Sequence, residues 1–294
     1  MGRVGICIFL SLVSFCSVAT EIDDTSSYYL KIADSEDYLD FKVQEIFDQA
    51  LTVYSGCKAQ VFLGHLSVAL TGDLFYGSVE RFANDAHSIE KYQPPISESI
   101  YKGTPYETSI VGRLFGLGAV INIHGHHVGT DKLSHFLDIG HDFYYYDKVH
   151  PSIPYLLEWA KSQEEGMLGY TTTGVKSFGD ISADMDGFRF WSELIGPKAH
   201  NPYFGCENGK LKQIRKFHWA DWVTPAWTEA INCSAYQTSN YDTTIDQNKS
   251  AMESNGDARF HCPIVGEVCG ALRKQYAELY PGEDLDMIIS PGCR

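Results

Sequence analysis

Eight cysteines divide this chain into a segment to set aside and a segment to fold. Cys7 and Cys16 lie within residues 1–19, where Arg3 precedes an apolar run from Ile6 to Val18. Ser17-Val18-Ala19 then offers the small residues that a processing site needs. Such a run is short for a bilayer span and has the layout of an export signal, so folding is expected to begin near Thr20. The other six, Cys57, Cys206, Cys233, Cys262, Cys269 and Cys293, are an even set in a chain marked for export, which favours disulfides. Their spacings are not C-x-x-C, so a structural zinc explains them less well. Five of them follow residue 200, and the expected fold is a body with a cross-linked, loop-rich tail.

Periodicity makes that body mainly helical. Leu39, Val43, Ile46, Phe47, Ala50, Leu51 and Tyr54 recur at helical spacing toward Gly56. Residues 61–76 are nearly all apolar and read as a buried helix in which His65 is a hydrogen-bonded core residue. Residues 110–123 are apolar and glycine-bearing, either helix or extended. Thr130 is placed to cap a helix over 131–146, and Pro151 and Pro154 open another toward Glu164. Ser177, with Asp180 three residues on, caps a helix reaching Leu194 before Gly196-Pro197. Residues 20–36 read as polar and extended, 236–259 as an exposed loop, and 265–280 as a last helix. The expected organisation is one helical domain over 20–294, its core at about 38–235 and its tail at 236–294. No later run is apolar enough to span a membrane.

Charge narrows the partners. The chain carries 23 Lys+Arg against 38 Asp+Glu, a net −15, and loss of Arg3 would leave −16 (22 − 38). Nucleic acid, whose phosphates require basic surface, is excluded as a partner. Cationic ligands, including amino sugars without their acetyl groups, are favoured.

Two constellations carry chemistry. On the helix after Thr130, Asp131, His135, Asp138 and Asp142 fall at i, i+4, i+7 and i+11, while His124, His126 and His127 arrive from the preceding segment. Imidazole beside carboxylate can hold a divalent metal, giving His124, His126, Asp131 and His135 as a ligand set. The same residues can instead form a cleft wall, with Asp131 and His135 paired and no metal cofactor, and this is the expectation.

The second constellation starts where Glu164-Glu165 close a helix ahead of Gly166, Gly169 and the Thr171–Gly174 loop. A helix-end glutamate with an apolar wall behind it resists ionisation and can serve as a general acid, so Glu164, or its neighbour Glu165, is the candidate. Asp180 is the second carboxylate. Tyr170, Thr172, Thr173, Ser177 and Asp184 surround it in sequence as candidate substrate contacts, the threonine hydroxyls being suited to a water or a sugar hydroxyl. Gly187, one face along from Asp180 and Asp184, would permit close packing.

The pattern G-T-D-K-L-S-H-F followed by an aromatic run, then E-x-G-x-x-G, then T-G-V-x-S-x-x-D, with Trp227-Thr-Glu229-Ala-Ile-Asn232 later, resembles a secreted bacterial family. That family includes the lysozyme specific for deacetylated peptidoglycan, and the resemblance covers about residues 105–240. It implies a lysozyme-like helical glycosidase, secreted or periplasmic, with Glu164 or Glu165 as catalytic acid and peptidoglycan or a cationic amino-sugar polymer as substrate. Asp184 stands where the family has Asn, and Lys176 where it has an aromatic residue, which leaves the substrate preference open. A metal-dependent hydrolase and a non-catalytic secreted binding protein are the alternatives.

Overall fold

The computed structural model describes residues 20–72, 77–197, 199–254, 256 and 258–294. The export-signal expectation for 1–19 and the end of the 61–76 run fall outside them. About half of the chain is helical, and the described residues include six short strands in three two-stranded sheets.

The first described segment overturns its expectation. Residues 21–25 are buried, and Asp23 caps a turn of helix, α1 (Asp24–Ser27), by accepting from the Ser26 N–H at 2.8 Å. Its polar residues find partners inside the protein, so polarity here marks a buried network and not exposure. Leu39, Val43, Ile46, Phe47 and Ala50 line the buried face of α2 (Glu36–Val53), as their spacing requires. Helix α3 (Ala59–Thr71) is amphipathic: Phe62, Leu63, Leu66 and Leu70 are buried, whereas Val61 and Val68 face solvent. His65 is therefore not a core residue; it is exposed and stacks on Tyr54. Helix α4 (Ser78–Asp85) and the short α5 (Pro105–Thr108) and α6 (Ile110–Phe115) follow.

The 110–123 run is both things it could have been. After α6, the chain enters strand β1 (Val120–Ile123), which pairs antiparallel with β2 (His126–Gly129) in register Val120↔Gly129 to Ile123↔His126. His124 and Gly125 form the hairpin tip, both with positive φ.

The helical path after Thr130 is interrupted. It comprises α7 (Asp131–Ser134), a π-turn over His135–Ile139 and α8 (Gly140–Asp147). Thr130 does not cap it; its hydroxyl donates to Asn84 Oδ1 instead. The wide π-turn breaks the four-residue stripe, turning Asp138 toward Gly77 and leaving Asp142 beside His141. Helix α9 (Ile153–Glu164) is capped by Ser152, and after strand β3 (Val175–Lys176) comes α10 (Phe178–Glu193), capped by the Ser177 hydroxyl.

Helix α10 is the hub, buried along nearly its whole length. Gly187 lets it cross the π-turn at backbone contact: a Cβ there would lie 2.0 Å from the Phe136 carbonyl oxygen, and one on Gly140 would lie 2.5 Å from Gly187. Around Phe136 pack Phe190, Trp219, Trp222 and Trp227, with ring centroids 5.0–5.5 Å away. The buried Asp186 is satisfied by Trp227 Nε1–H at 3.0 Å, the Tyr276 hydroxyl at 2.7 Å and Arg189.

Beyond α10, strands β4 (Phe204–Glu207) and β5 (Lys210–Gln213) form a hairpin, and β6 (Ala235–Tyr236) pairs with β3. The tail is less irregular than its composition suggests. Residues 239–253 form a helix, α11 (Ser239–Glu253), and the expected last helix is α12 (Glu267–Leu279). Tyr241 and Ile245 of α11 pack on Tyr101, Tyr106 and Leu117, a second small core that pins it down. Three disulfides, Cys57–Cys206, Cys233–Cys262 and Cys269–Cys293, have Cα separations of 5.6, 5.5 and 5.1 Å, within the usual range. The first ties the β4 hairpin to the segment between α2 and α3; the others hold the tail.

Candidate functional site

The start of α10, the end of α9, the first turn of α7 and the Trp227–Ser234 segment bring an unusual charge set together. Lys132 is fully buried. Its Nζ lies 3.0 Å from Asp131 Oδ2 and 3.0 Å from Glu229 Oε1, and it also contacts Asp180 Oδ1. Burial opposes its charge, yet the three carboxylates hold it protonated well above the ordinary lysine range. The close approach depends on Gly179, where a Cβ would stand 3.1 Å from Lys132 Cε.

His135 is the second cation. Its Nδ1 is 2.8 Å from Asp184 Oδ1 and its Nε2 is 3.3 Å from Asp180 Oδ2. Against the cost of burial, these two carboxylates raise its pKa well above that of a free imidazole. Asp184 itself is pushed up to about 6 by burial, with His135 pulling the other way. The spacing of Asp180 and Asp184, one helical turn apart, is what puts both on one imidazole.

Glu164 sits behind them, 1% exposed at the C-terminal end of α9. Its Oε2 accepts from the Ser177 N–H at 3.0 Å, while Oε1 has no hydrogen-bond partner among the described residues. Burial first, and the neighbouring charge of Asp180 second, raise its pKa well above the usual carboxyl range. Burial thus favours the neutral form of Glu164, which lies beside Asp180, a carboxyl in contact with two cations. Around them, Glu229 accepts from Ser177 Oγ and Ser234 Oγ, each at 2.8 Å. Its own N–H donates to Asp24 Oδ2 at 2.6 Å, so the N-terminal turn is part of the network. The cluster reaches solvent along Asp131, His135 and Asp180, whose side chains are 20, 13 and 11% exposed.

Six candidate residues from the sequence converge here: Asp131, His135, Glu164, Ser177, Asp180 and Asp184. The pairing expected between Asp131 and His135 is replaced, because Lys132 takes Asp131 and α10 offers His135 two better-placed carboxylates. Glu165 points outward and pairs with Lys176 at 3.0 Å. The threonine hydroxyls are spent on their own loop: Thr172 donates to Met167 O and Thr173 to Gly169 O. Tyr170 is half-buried nearby, its hydroxyl pKa raised by burial and then by Glu165 and Glu164.

The metal set written from His124, His126, Asp131 and His135 does not assemble. His124 Nδ1 is 2.8 Å from Glu36 Oε2, on the hairpin side of the molecule, and His126 lies in β2 with its pKa lowered chiefly by burial. Asp131, His135 and Asp180 could share an ion, with ligand atoms within 4.8 Å of one another. Lys132 already lies against both carboxyls of that set and supplies the positive charge there.

Two central residues escaped the sequence reading. Lys132 and Glu229 stand inside the G-T-D-K-L-S-H-F and Trp227–Asn232 stretches, but spacing alone gives neither of them a role. Comparison with protein-family models, curated proteins and solved structures finds no match. Any functional assignment therefore rests on the geometry.

Proposed function

We propose that this is an exported, lysozyme-like glycoside hydrolase that cleaves an amino-sugar polymer of the peptidoglycan type, with Glu164 as general acid. The observation that carries the reading is the placing of unlike carboxyls: Glu164 buried where its neutral form is favoured, Asp180 in contact with Lys132 and His135. Two carboxyls driven to opposite tasks by their surroundings are what glycosidic cleavage requires. Glu164 would protonate the leaving oxygen, and Asp180 would act on the opposite side as base or nucleophile. The Asp-rich surroundings suit a cationic, deacetylated sugar.

Export is supported by the three disulfides, which persist in oxidising compartments, and by the layout of residues 1–19. Among the described residues no helix is long and apolar enough to cross a membrane. Burial sets a condition on the reading. Glu164 is enclosed, so substrate reaches its Oε1 only if the residues covering it move aside.

The test is incubation with native and deacetylated peptidoglycan, followed by mass analysis of the fragments. Glu164→Gln keeps the shape and the hydrogen bond from Ser177 but has no acidic proton, and should lose about 10²–10⁴-fold in rate. Glu165→Gln should be mild. Full cleavage by Glu164→Gln, or no cleavage by the unaltered protein of either substrate, overturns the assignment.

A further inference from the structure

A second cluster of titratable groups lies away from this site, where the first turns of α2, the β1–β2 hairpin tip and the segment before Trp219 meet. Glu36 and Asp40 are one turn apart on α2, and so share a face. His218 approaches Asp40, with Nδ1 at 2.7 Å from Oδ2. One carboxylate oxygen from each acid and one imidazole nitrogen lie within 4.8 Å of one another. We propose that Glu36, Asp40 and His218 form a binding site for a zinc-like divalent cation.

The argument is one of ligands and of the groups that hold them. A single imidazole with two carboxylates is a donor set for zinc or a similar transition metal, whereas calcium and magnesium take oxygen alone. Three ligands from two separated segments leave a coordination position for water, as open sites do. Both acids are braced from behind. Asp40 Oδ1 accepts from the Trp219 N–H at 2.8 Å, which fixes the carboxylate with Oδ2 toward His218, where an ion would replace the proton now shared between them. Glu36 Oε2 is met by His124 Nδ1 at 2.8 Å, and the His124 N–H donates to Asp34 Oδ1 at 3.1 Å. Carboxylates fixed by such outer partners are characteristic of metal sites. The site is also reachable: the side chains of Glu36 and Asp40 are 21 and 16% exposed, and that of His218 is 53%.

This site differs from the Glu164 cluster in one decisive way. There a buried lysine ammonium occupies the centre of the carboxylates; here the groups facing Glu36 and Asp40 are two imidazoles, which are neutral when they bind a metal. The cation would clamp the start of α2 to the turn carrying Trp219, whose ring packs on Phe136 in the core. Its role is then structural, and the glycosidase reading neither requires it nor follows from it.

Equilibrium dialysis of the full chain against zinc chloride, with metal counted by mass spectrometry, tests this directly. One equivalent should bind in the micromolar range or tighter and raise the unfolding temperature. His218→Ala alters an exposed side chain and should fold, yet lower affinity more than about 100-fold. His124→Ala removes only an outer partner and should cost about 10–100-fold. Asp131→Asn should leave zinc affinity unchanged. No binding below millimolar zinc, or equal binding by His218→Ala, overturns the proposal, as does transfer of the loss to Asp131→Asn.

Discussion

Replacing Lys132 by Met keeps most of the side chain's volume and removes only its charge. The ammonium is fully buried and touches Asp131, Asp180 and Glu229. Its loss leaves three carboxyls facing one another with His135 as the one remaining cation of the cluster. Breaking a buried pair by deleting one partner costs about 3–5 kcal/mol, because the surviving charge stays desolvated. For a chain of this size that is a fall of about 6–20 °C in Tm. The sign with pH separates this cause from simple loss of packing. Lys132 binds its proton more tightly folded than unfolded, so its stabilisation is complete below the unfolded value of about 10.5 and fades only at higher pH. Asp131, which burial pushes above the ordinary carboxyl value, takes up its proton as pH falls, and its share of the penalty goes with it. Urea unfolding of both proteins at pH 7.5 and pH 5 should therefore show a large difference at the first and a smaller one at the second. Equal costs at both pH values, or a cost below about 1 kcal/mol at pH 7.5, would refute the electrostatic account.

The unaltered protein should itself be more stable in mild acid. Burial raises Asp184 to about 6, Glu80 to about 7 and Glu21 to about 8, so the folded state binds more protons than the unfolded one between about pH 4 and pH 8. Stability should fall as pH rises through that window, with Glu80 alone contributing about 3 kcal/mol; a flat or rising profile by urea titration would contradict it. Gly187→Ala should destabilise by at least about 2 kcal/mol, since the new methyl meets the Phe136 backbone at 2.0 Å and neither helix can yield. Gly64→Ala, mid-helix with nothing within 4 Å, should instead stabilise by up to about 1 kcal/mol, and thermal unfolding of the pair decides whether close contact or helix propensity governs these glycines.

What was legible in the sequence was whatever obeys a local rule. The boundaries of α2, α9, α10 and α12 follow from apolar spacing, from the prolines at 151 and 154 and from Ser177 as a cap, and the even cysteine count forms three pairs. Helix α11 was hidden because its buried face is only a narrow stripe, Tyr241, Ile245 and Lys249, within a polar sequence. Asn232 heads a glycosylation sequon, yet it is fully buried, its amide donating to backbone carbonyls and to Ser182 Oγ while its oxygen accepts from Ser290 N–H. Partner choice within the site was illegible for a different reason. His135 could reach Asp131 by helix geometry alone, and only the crossing of α10 at Gly187 brings Asp180 and Asp184 into competition. The π-turn has no periodic signature, and it is what releases Asp138 from the stripe.

The charge balance of the site leads back to its chemistry. Glu21, Asp24, Asp131, Glu164, Asp180, Asp184 and Glu229 gather around Lys132 and His135, with the buried Lys249 attracting Asp24 and Glu229 and Tyr101 donating to Glu21 at 3.1 Å. Seven charged carboxylates against three positive groups in a buried volume would be prohibitively costly, so several must keep their protons at neutral pH. Burial selects which ones. Glu164 and Asp24 are almost wholly enclosed and are pushed strongly toward the neutral form. Glu164, pushed toward its neutral form, therefore lies beside the carboxyl that contacts both Lys132 and His135, before any substrate is considered. Glu164 Oε1 lacks a hydrogen-bond partner among the described residues, as do Asp131 Oδ1 and Asp180 Oδ1 of the same cluster. On the proposed glycosidase reading, the Glu164 oxygen is the one that would meet an arriving glycosidic oxygen.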